Sequence, residues 1–237
     1  MVDCCSAPGL IPFEQALETM LAAIKPITDV ENITLSQALG RVLSSNITSP
    51  INVPGHNNSA MDGYAFAHES LQSQQSLTLV GRSMAGKPFE GKCNKGECIR
   101  IMTGAKIPTD CDTVEMQENC QVAGESIHFL EPRNSGDHVR LAGEDINQGQ
   151  VVFSLGRRLS AIDIGVLASL GINELSVYRK LNVALIATGD ELKALGQPLE
   201  SGDIFESNSY ALSAMLKNLN VNVINFGVIA DDEKAIK

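Results

Sequence analysis

The sequence predicts a multidomain chain, α+β through its first three quarters and α/β at its end. Three patterns predict it. Apolar residues recur at helical spacing near residues 12–25 and again near 158–170. Between these stretches, short alternating runs broken by Gly, Pro, Asn and Asp read as a small β domain. After Leu181, an apolar run, a helical segment and a second apolar run read as the start of a Rossmann-like α/β domain.

Phe13, Ala16, Leu17, Met20, Leu21 and Ile24 fall on one helical face, Pro12 suits a first turn, and Pro26 stops the helix. Residues 31–35 read as a short strand. Ser36 then caps a second short helix, with Ala38, Leu39 and Val42 as its apolar side. Alternating runs at 76–80, 98–102 and 113–117 make up the β region, roughly 71–139. Residues 143–153 continue as turns and a strand, with Glu144-Asp145 in a turn.

The helix predicted over 158–170 has Ser160 as its cap, Asp163 at the capping-box position and Gly171 at its end. Ile162, Val166, Leu167 and Leu170 are its expected buried stripe. Residues 174–178 read as a linking strand. A buried parallel strand is predicted over 182–187, followed by the turn Thr188-Gly189-Asp190-Glu191, a helix over 210–219 and a second strand over 221–229. Asp231-Asp232 then opens another helix. Ligands of such βαβ units sit at the C-terminal strand ends, where both acidic turns lie. Acids at helix starts also stabilise the dipole, by about 0.3–1 kcal/mol each. Asp232 reads as such a cap, whereas Glu191 and Asp231 read equally well as caps or as site residues.

A net charge of −10 argues against a sequence-independent nucleic-acid binder, which needs Lys and Arg against phosphates. It leaves room for an anionic small molecule. Arg82, Lys87, Arg100, Lys106, Arg133 and Arg140 are available for a positive patch, or are solvated surface cations. Cys4, Cys5, Cys93, Cys98, Cys111 and Cys120 include no Cys-x-x-Cys metal pair. The first residues lack the basic and apolar regions of a signal peptide, and no apolar run approaches membrane-span length. The expectation is a cytoplasmic protein with reduced thiols and no membrane or nucleic-acid partner.

The segment Ser59-Ala60-Met61-Asp62-Gly63-Tyr64-Ala65 places one carboxylate among turn-forming residues, after Pro54-Gly55-His56-Asn57-Asn58. An acid on a structured, accessible loop suits binding or proton chemistry. The alternative is an Asx-turn carboxylate that only closes a bend. Thr103-Gly104 offers a hydroxyl and a backbone N–H to an oxyanion, or a turn Thr bonded to its own backbone.

Several separated motifs agree on one family. They are Ala38-Leu39-Gly40-Arg41-Val42-Leu43, the segment 59–65, Arg100-Ile101-Met102-Thr103-Gly104-Ala105, Glu118-Asn119, Arg140 with Gly143-Glu144-Asp145-Ile146, Thr188-Gly189-Asp190-Glu191-Leu192, Asn208, and residues 227–232. In these the chain resembles the molybdopterin molybdenumtransferase family of bacterial MoeA and the gephyrin E domain. The resemblance implies insertion of molybdate into adenylylated molybdopterin, with Mg²⁺ and release of AMP. It places Asp62, Thr103, Glu191 and Asp231 at catalytic positions. Gly104, Thr188, Gly189, Asp190 and Asn208 become cofactor contacts, and Arg140 and Asp145 either such contacts or structural and dimer contacts. Glu191 and Asp231 are the Mg²⁺ candidates. The resemblance also implies an elongated dimerisation domain (1–50 and 140–178), an inserted β domain (51–139) and the start of a three-layer, molybdopterin-binding α/β domain (179–237). A homodimer and a molybdopterin adenylyltransferase partner follow from it.

The family continues beyond Lys237 with the rest of its α/β domain. The 237 residues alone are therefore expected to be inactive, with an unpaired edge on the second strand. The competing class is a non-catalytic dimerisation and scaffold module. A generic nucleotide-binding α/β protein is disfavoured, because neither a Gly-rich phosphate loop nor a Walker-type motif occurs.

Overall fold

The computed structural model describes residues 11–71, 75–131 and 134–229. In chain order its elements are α1 (Phe13–Ala23), β1 (Val30–Thr34), β2 (Ile47–Thr48), β3 (Asn58–Ser59), β4 (Gly63–Phe66), β5 (Ser76–Ser83), β6 (Glu97–Ile101), β7 (Thr113–Met116), β8 (Cys120–Ala123), β9 (Ser126–Phe129), β10 (Val139–Arg140), β11 (Val151–Phe153), α2 (Ala161–Ser169), β12 (Glu174–Tyr178), β13 (Asn182–Thr188), β14 (Leu192–Lys193), β15 (Ile204–Phe205), α3 (Asn208–Asn218) and β16 (Asn222–Ile229). They divide between two compact units. One holds Asn46–Leu155 and Val166–Gly171; the other holds the described residues of Met1–Ser45, Gly156–Gly165 and Ile172–Lys237.

The first unit is built on a six-stranded sheet in the order β7-β4-β6-β5-β9-β8. All its pairs are antiparallel except β5–β6. Successive side chains point to opposite faces, and both faces are covered. Ala65, Ile99, Ile101 and Val114 enter one buried cluster, while Tyr64, Phe66, Leu77, Cys98, Ile127 and Phe129 enter another. That is why β4 is buried at every position. Burying a side chain such as Ile99 contributes about 1.5–3 kcal/mol. Phe66 and Phe129 meet edge to face, their centroids 4.9 Å apart. Gly63 is required where β4 crosses β7, since a Cβ there would stand 1.8 Å from the Glu115 carbonyl oxygen.

In the second unit β1 pairs antiparallel with β12, from Val30↔Tyr178 to Thr34↔Glu174. Leu43, Leu159, Leu175 and Val177 are buried there. The helix expected after Ser36 is instead a single 3₁₀ turn, Leu35–Gln37. Its continuation fails because the next backbone donors are engaged by another segment. Gly40, at φ +73°, gives its N–H to Leu159 O at 2.8 Å, and Leu43 N–H bonds Arg157 O at 3.0 Å. Leu39 is consequently exposed.

α2 begins with the predicted capping box. Ser160 Oγ accepts the Asp163 N–H at 3.3 Å and Asp163 Oδ2 accepts the Ser160 N–H at 2.9 Å. Its stripe is shifted from the expectation: Asp163, Leu167 and Leu170 are buried, whereas Ile162 is 80% exposed, one position off that face. α1 forms as expected but buries none of its residues.

β13 and β16 pair in parallel, from Asn182↔Asn222 to Thr188↔Ile229, with α3 as the connection between them. β13 alternates exposed and half-buried residues rather than being buried as predicted. Among the described residues it has one neighbouring strand, β16, and one packed helix, α3. These residues compose one βαβ unit and not a three-layer Rossmann-like sheet; the helix expected at Asp231-Asp232 lies outside the described residues. No helix among the described residues is long and apolar enough to cross a membrane.

Candidate functional site

Asp62 and Thr103 are brought together by a short ladder between their two loops. Ile107 N–H bonds Asn57 O at 2.9 Å, Ser59 N–H bonds Ala105 O at 3.0 Å, and Gly104 N–H bonds Ser59 O at 2.8 Å. Gly104, at φ +78°, closes the turn in which Ala105 N–H reaches Met102 O at 2.9 Å. Ser59, itself buried, fixes the other loop by donating its hydroxyl to Met61 O at 2.5 Å. Thr103 is then placed to give both its backbone N–H and its hydroxyl to Asp62 Oδ1, each at 2.7 Å.

Asp62 therefore does not close its own bend as an Asx turn; it clamps a loop 41 residues away. Charge-assisted bonds of this kind are about twice as strong as neutral ones. The Thr103 hydroxyl and N–H, helped by the nearby charge of Arg100, hold the Asp62 carboxyl below the ordinary carboxylate range. Asp62 is thus ionised at neutral pH and acts as an acceptor, not a proton donor. Its Oδ2 carries no hydrogen bond among the described residues. The expected oxyanion donor is corrected: the Gly104 N–H is engaged by Ser59 O, and both Thr103 donors face Asp62. The Thr103 hydroxyl oxygen keeps lone pairs with which to accept from a ligand.

Three neighbours of Asp62 are visible only in three dimensions. Arg100 lies across from Tyr64 in the β4–β6 register, with its guanidinium carbon 5.2 Å from the ring centroid. It donates to Gly63 O at 2.8 Å and to the Gln117 side chain. Gln117 in turn donates its amide to Glu118 Oε1 at 3.0 Å, which with the Glu118 backbone N–H lowers the Glu118 pKa; Arg100 assists and Asp62 opposes. Two ionised carboxylates and a guanidinium thus share this corner of the β unit. Arg100 otherwise reads as one surface cation among six, and Glu118 carries no signal outside the family motif.

Arg140 and Asp145 are committed to each other. One guanidinium nitrogen meets both Asp145 oxygens at 2.7 Å, and Nε reaches Glu144 Oε1 at 3.3 Å. Those acidic partners raise the Arg140 pKa. The clamp shapes the 140–145 turn, and β10 ties it to the Asp62 loop through Val139↔Ser59 and Arg140↔Asn58.

The remaining predicted residues lie in the other unit. Thr188 and Asn208 line one cleft of about 410 Å³, together with Ile186, Phe205, Glu206 and Leu212. Glu206, which the sequence reading overlooked, is buried and accepts the Ser209 N–H at 2.7 Å, supplying the start of α3 with a partner. Gly189 adopts φ +150°, and a Cβ there would stand 2.8 Å from Glu191 Oε2, so this carboxylate curls over the glycine. Asp190 and Glu191 are exposed, and Asp231 lies outside the described residues. Among the described residues no three His, Cys, Asp or Glu side chains converge as a metal site. They do not compose a Mg²⁺ site by themselves.

Residues 11–171 match the family model described as the MoeA N-terminal region, domains I and II. A molybdopterin molybdenumtransferase of Haemophilus influenzae is 39% identical over 225 residues, covering 94% of this chain and 56% of the relative. One from a Nostoc species is 35% identical, covering 88% of this chain and 49% of the relative. The chain thus spans about half the length of these curated relatives. The crystal structure of a molybdopterin biosynthesis MoeA protein from Pyrococcus horikoshii superposes with a TM-score of 0.87 at 33% identity, covering 96% of this chain and 62% of that one. With this match over most of its residues and a mixed α+β fold rich in strands, the chain belongs to the MoeA family.

Proposed function

We propose that the protein acts in molybdenum cofactor biosynthesis as a molybdopterin molybdenumtransferase, inserting molybdate into adenylylated molybdopterin with release of AMP. The names of its relatives support the reading, and the clamp between Asp62 and Thr103 carries it in this chain. A carboxylate kept ionised at a partly exposed loop end, with one oxygen open, can accept a ligand N–H or orient an attacking water. Thr103 fixes its direction. The Thr188–Asn208 cleft is the place proposed for the pterin, with Gly189, Asp190 and Glu191 at its edge and Asp231 as the further acid. Mg²⁺ belongs to the proposal as the metal of Glu191 and Asp231.

The domain roles follow the same reading: residues 1–50 and 140–178 for dimerisation, 51–139 as the inserted β domain and 179–237 for the pterin. The exposed stripe of α1, with Phe13 71% and Leu21 58% accessible, supports a homodimer. Cytoplasmic location and delivery of the substrate by a molybdopterin adenylyltransferase complete the reading. The same stripe favours the second reading, a dimerisation module without catalysis. The experiment is AMP release and molybdenum insertion by the full-length protein with Asp62→Asn. Activity lost with unchanged melting supports the transferase; activity retained removes Asp62 from the mechanism.

A further inference from the structure

In the second unit the loop carrying Gly40 meets the turn between α3 and β16, and two adjoining clefts border the contact. Asn220, at φ +60°, gives its side-chain N–H to Leu39 O at 3.1 Å. Gly40 fits against it because it lacks a Cβ, which would stand 2.9 Å from Asn220 Nδ2. The larger cleft has a volume of about 530 Å³. The smaller, of about 510 Å³, shares Gly40, Arg158 and Asn220 with it. Backbone bonds fix the walls. Arg158 bridges to Val42, and Leu159 N–H reaches Arg41 O at 2.8 Å. Tyr178 N–H reaches Val42 O at 2.8 Å, and Arg179 N–H reaches Asp29 O at 2.9 Å. Neither cleft shares a lining residue with the Thr188–Asn208 cleft.

The chain carries a net charge of −10, yet among the described residues no Asp or Glu lines either cleft. Arg41, Arg158, Arg179 and Lys180 line the larger one, and Lys217 the smaller. Two of these cations are neutralised by their own partners. The buried Arg41 pairs with Glu31 and donates to Tyr178 O at 2.8 Å, and Arg179 meets Asp29 at 3.2 Å. Arg158, Lys180 and Lys217 pair with no carboxylate among the described residues. Arg158 spends its Nε on Gly40 O at 3.3 Å, which leaves its two terminal nitrogens to donate elsewhere. Ile27, Val42, Leu181 and Val221 add apolar wall to the larger cleft.

We propose that the larger cleft binds a small organic phosphate, a monoester whose phosphate is held by Arg158 and Lys180 and whose apolar or aromatic body lies on Ile27, Val42, Leu181 and Val221. A guanidinium fork suits phosphate oxygens, and an ammonium adds a compact second charge. Those two cations match the two charges that a phosphate monoester approaches at neutral pH. Lys217, beyond Arg158 in the smaller cleft, strengthens the positive field. Apolar walls with a few charged groups in a volume of this size are the usual makeup of a small-molecule site. A ligand there touches the 40–42 loop, the 178–181 segment and the α3–β16 turn together, so it stabilises the folded chain by mass action. The proposal does not rest on the transferase reading, because binding is measured without turnover.

The test is calorimetric titration of the full-length protein with phenyl phosphate, inorganic phosphate and phenol at low ionic strength. It is repeated on Arg158→Gln and Lys180→Gln, with melts recorded in the presence and absence of phenyl phosphate. Phenyl phosphate is expected to bind saturably and more tightly than inorganic phosphate, with no binding of phenol. Each substitution removes a charged hydrogen bond and should weaken phenyl phosphate about tenfold or more. The rise in melting temperature that phenyl phosphate gives the parent should shrink in both variants. Equal affinity in the parent and both variants would place the ligand elsewhere and overturn the proposal. So would an absence of saturable binding at millimolar phenyl phosphate, or an affinity no better than that for inorganic phosphate. Should Arg158→Gln fail to fold, Lys180→Gln decides alone, since the Lys180 ammonium makes no bond among the described residues.

Discussion

The β sheet and the βαβ segment treat their apolar residues in opposite ways. In the sheet Ile99, Ile101, Leu77 and Ile127 are shut away on one face or the other. In the βαβ segment Ile186 is 47% exposed, and Ile224 and Phe226 are exposed with it. The functional side chains differ accordingly. Asp62 is held by two bonds from a loop that is itself laced to its neighbour, whereas Glu191 curls over Gly189 on an exposed turn. A dense scaffold on both faces can aim a carboxylate. Among the described residues the βαβ segment has two strands and one packed helix, which leave its acidic turn less firmly held.

The sharpest way to break that contrast is steric. Gly63→Ala must move the β4–β7 backbones apart and is expected to cost about 3 kcal/mol or more, or to prevent folding. A thermal melt close to the parent's would show that the two strands are looser than described. Next in size, Ile99→Ala should destabilise by about 2–5 kcal/mol in chemical denaturation. The matched change Ile186→Ala should stay within about 0.5 kcal/mol. Equal effects would erase the difference between the regions.

A smaller effect concerns two acids with lowered pKa values and different tasks. The Asp163 carboxyl is buried against Arg157 and the Ser160 N–H, and is held down to about 2. Its unfolded value is about 3.9. The unfolded chain therefore takes up the proton first. The contribution of Asp163 is complete above about pH 4 and is lost as pH falls toward 2. Asp163→Asn should lower the melting temperature at pH 6 and converge on the parent near pH 2. For Asp62, which is far more accessible, the same comparison should show little change in stability at either pH.

Much of this was legible in the sequence because the deciding physics was local. The capping box at Ser160 and Asp163, the strand over 174–178 and the helix and strands after Leu181 each follow from spacing and punctuation. Asp62 and Thr103 each stand out in the sequence, yet their bond depends on the ladder from Asn57–Ser59 to Gly104–Ile107, which no local pattern announces. Arg100 needed the β4–β6 register before it could be set beside Tyr64 and Gln117. The failures are also physical. Helix propensity after Ser36 lost to backbone partners more than a hundred residues away, at Arg157 and Leu159. The buried character assigned to residues 182–187 came from composition, which reports what a strand would prefer to bury and not what covers it.

The central claim is that the Asp62–Thr103 clamp serves chemistry rather than folding. The most direct measurement is molybdenum insertion by the full-length protein, compared across Asp62→Asn, Thr103→Ala and Thr103→Ser, with each melt recorded. A charged hydrogen bond contributes about 1.5–3 kcal/mol, so Asp62→Asn should reduce activity on the order of 10–100-fold. Thr103→Ala, which keeps the backbone N–H, should lose less, and Thr103→Ser should retain nearly all, with every melt close to the parent's. Full activity in Asp62→Asn, or a loss of activity that only tracks a loss of folding, would contradict the account.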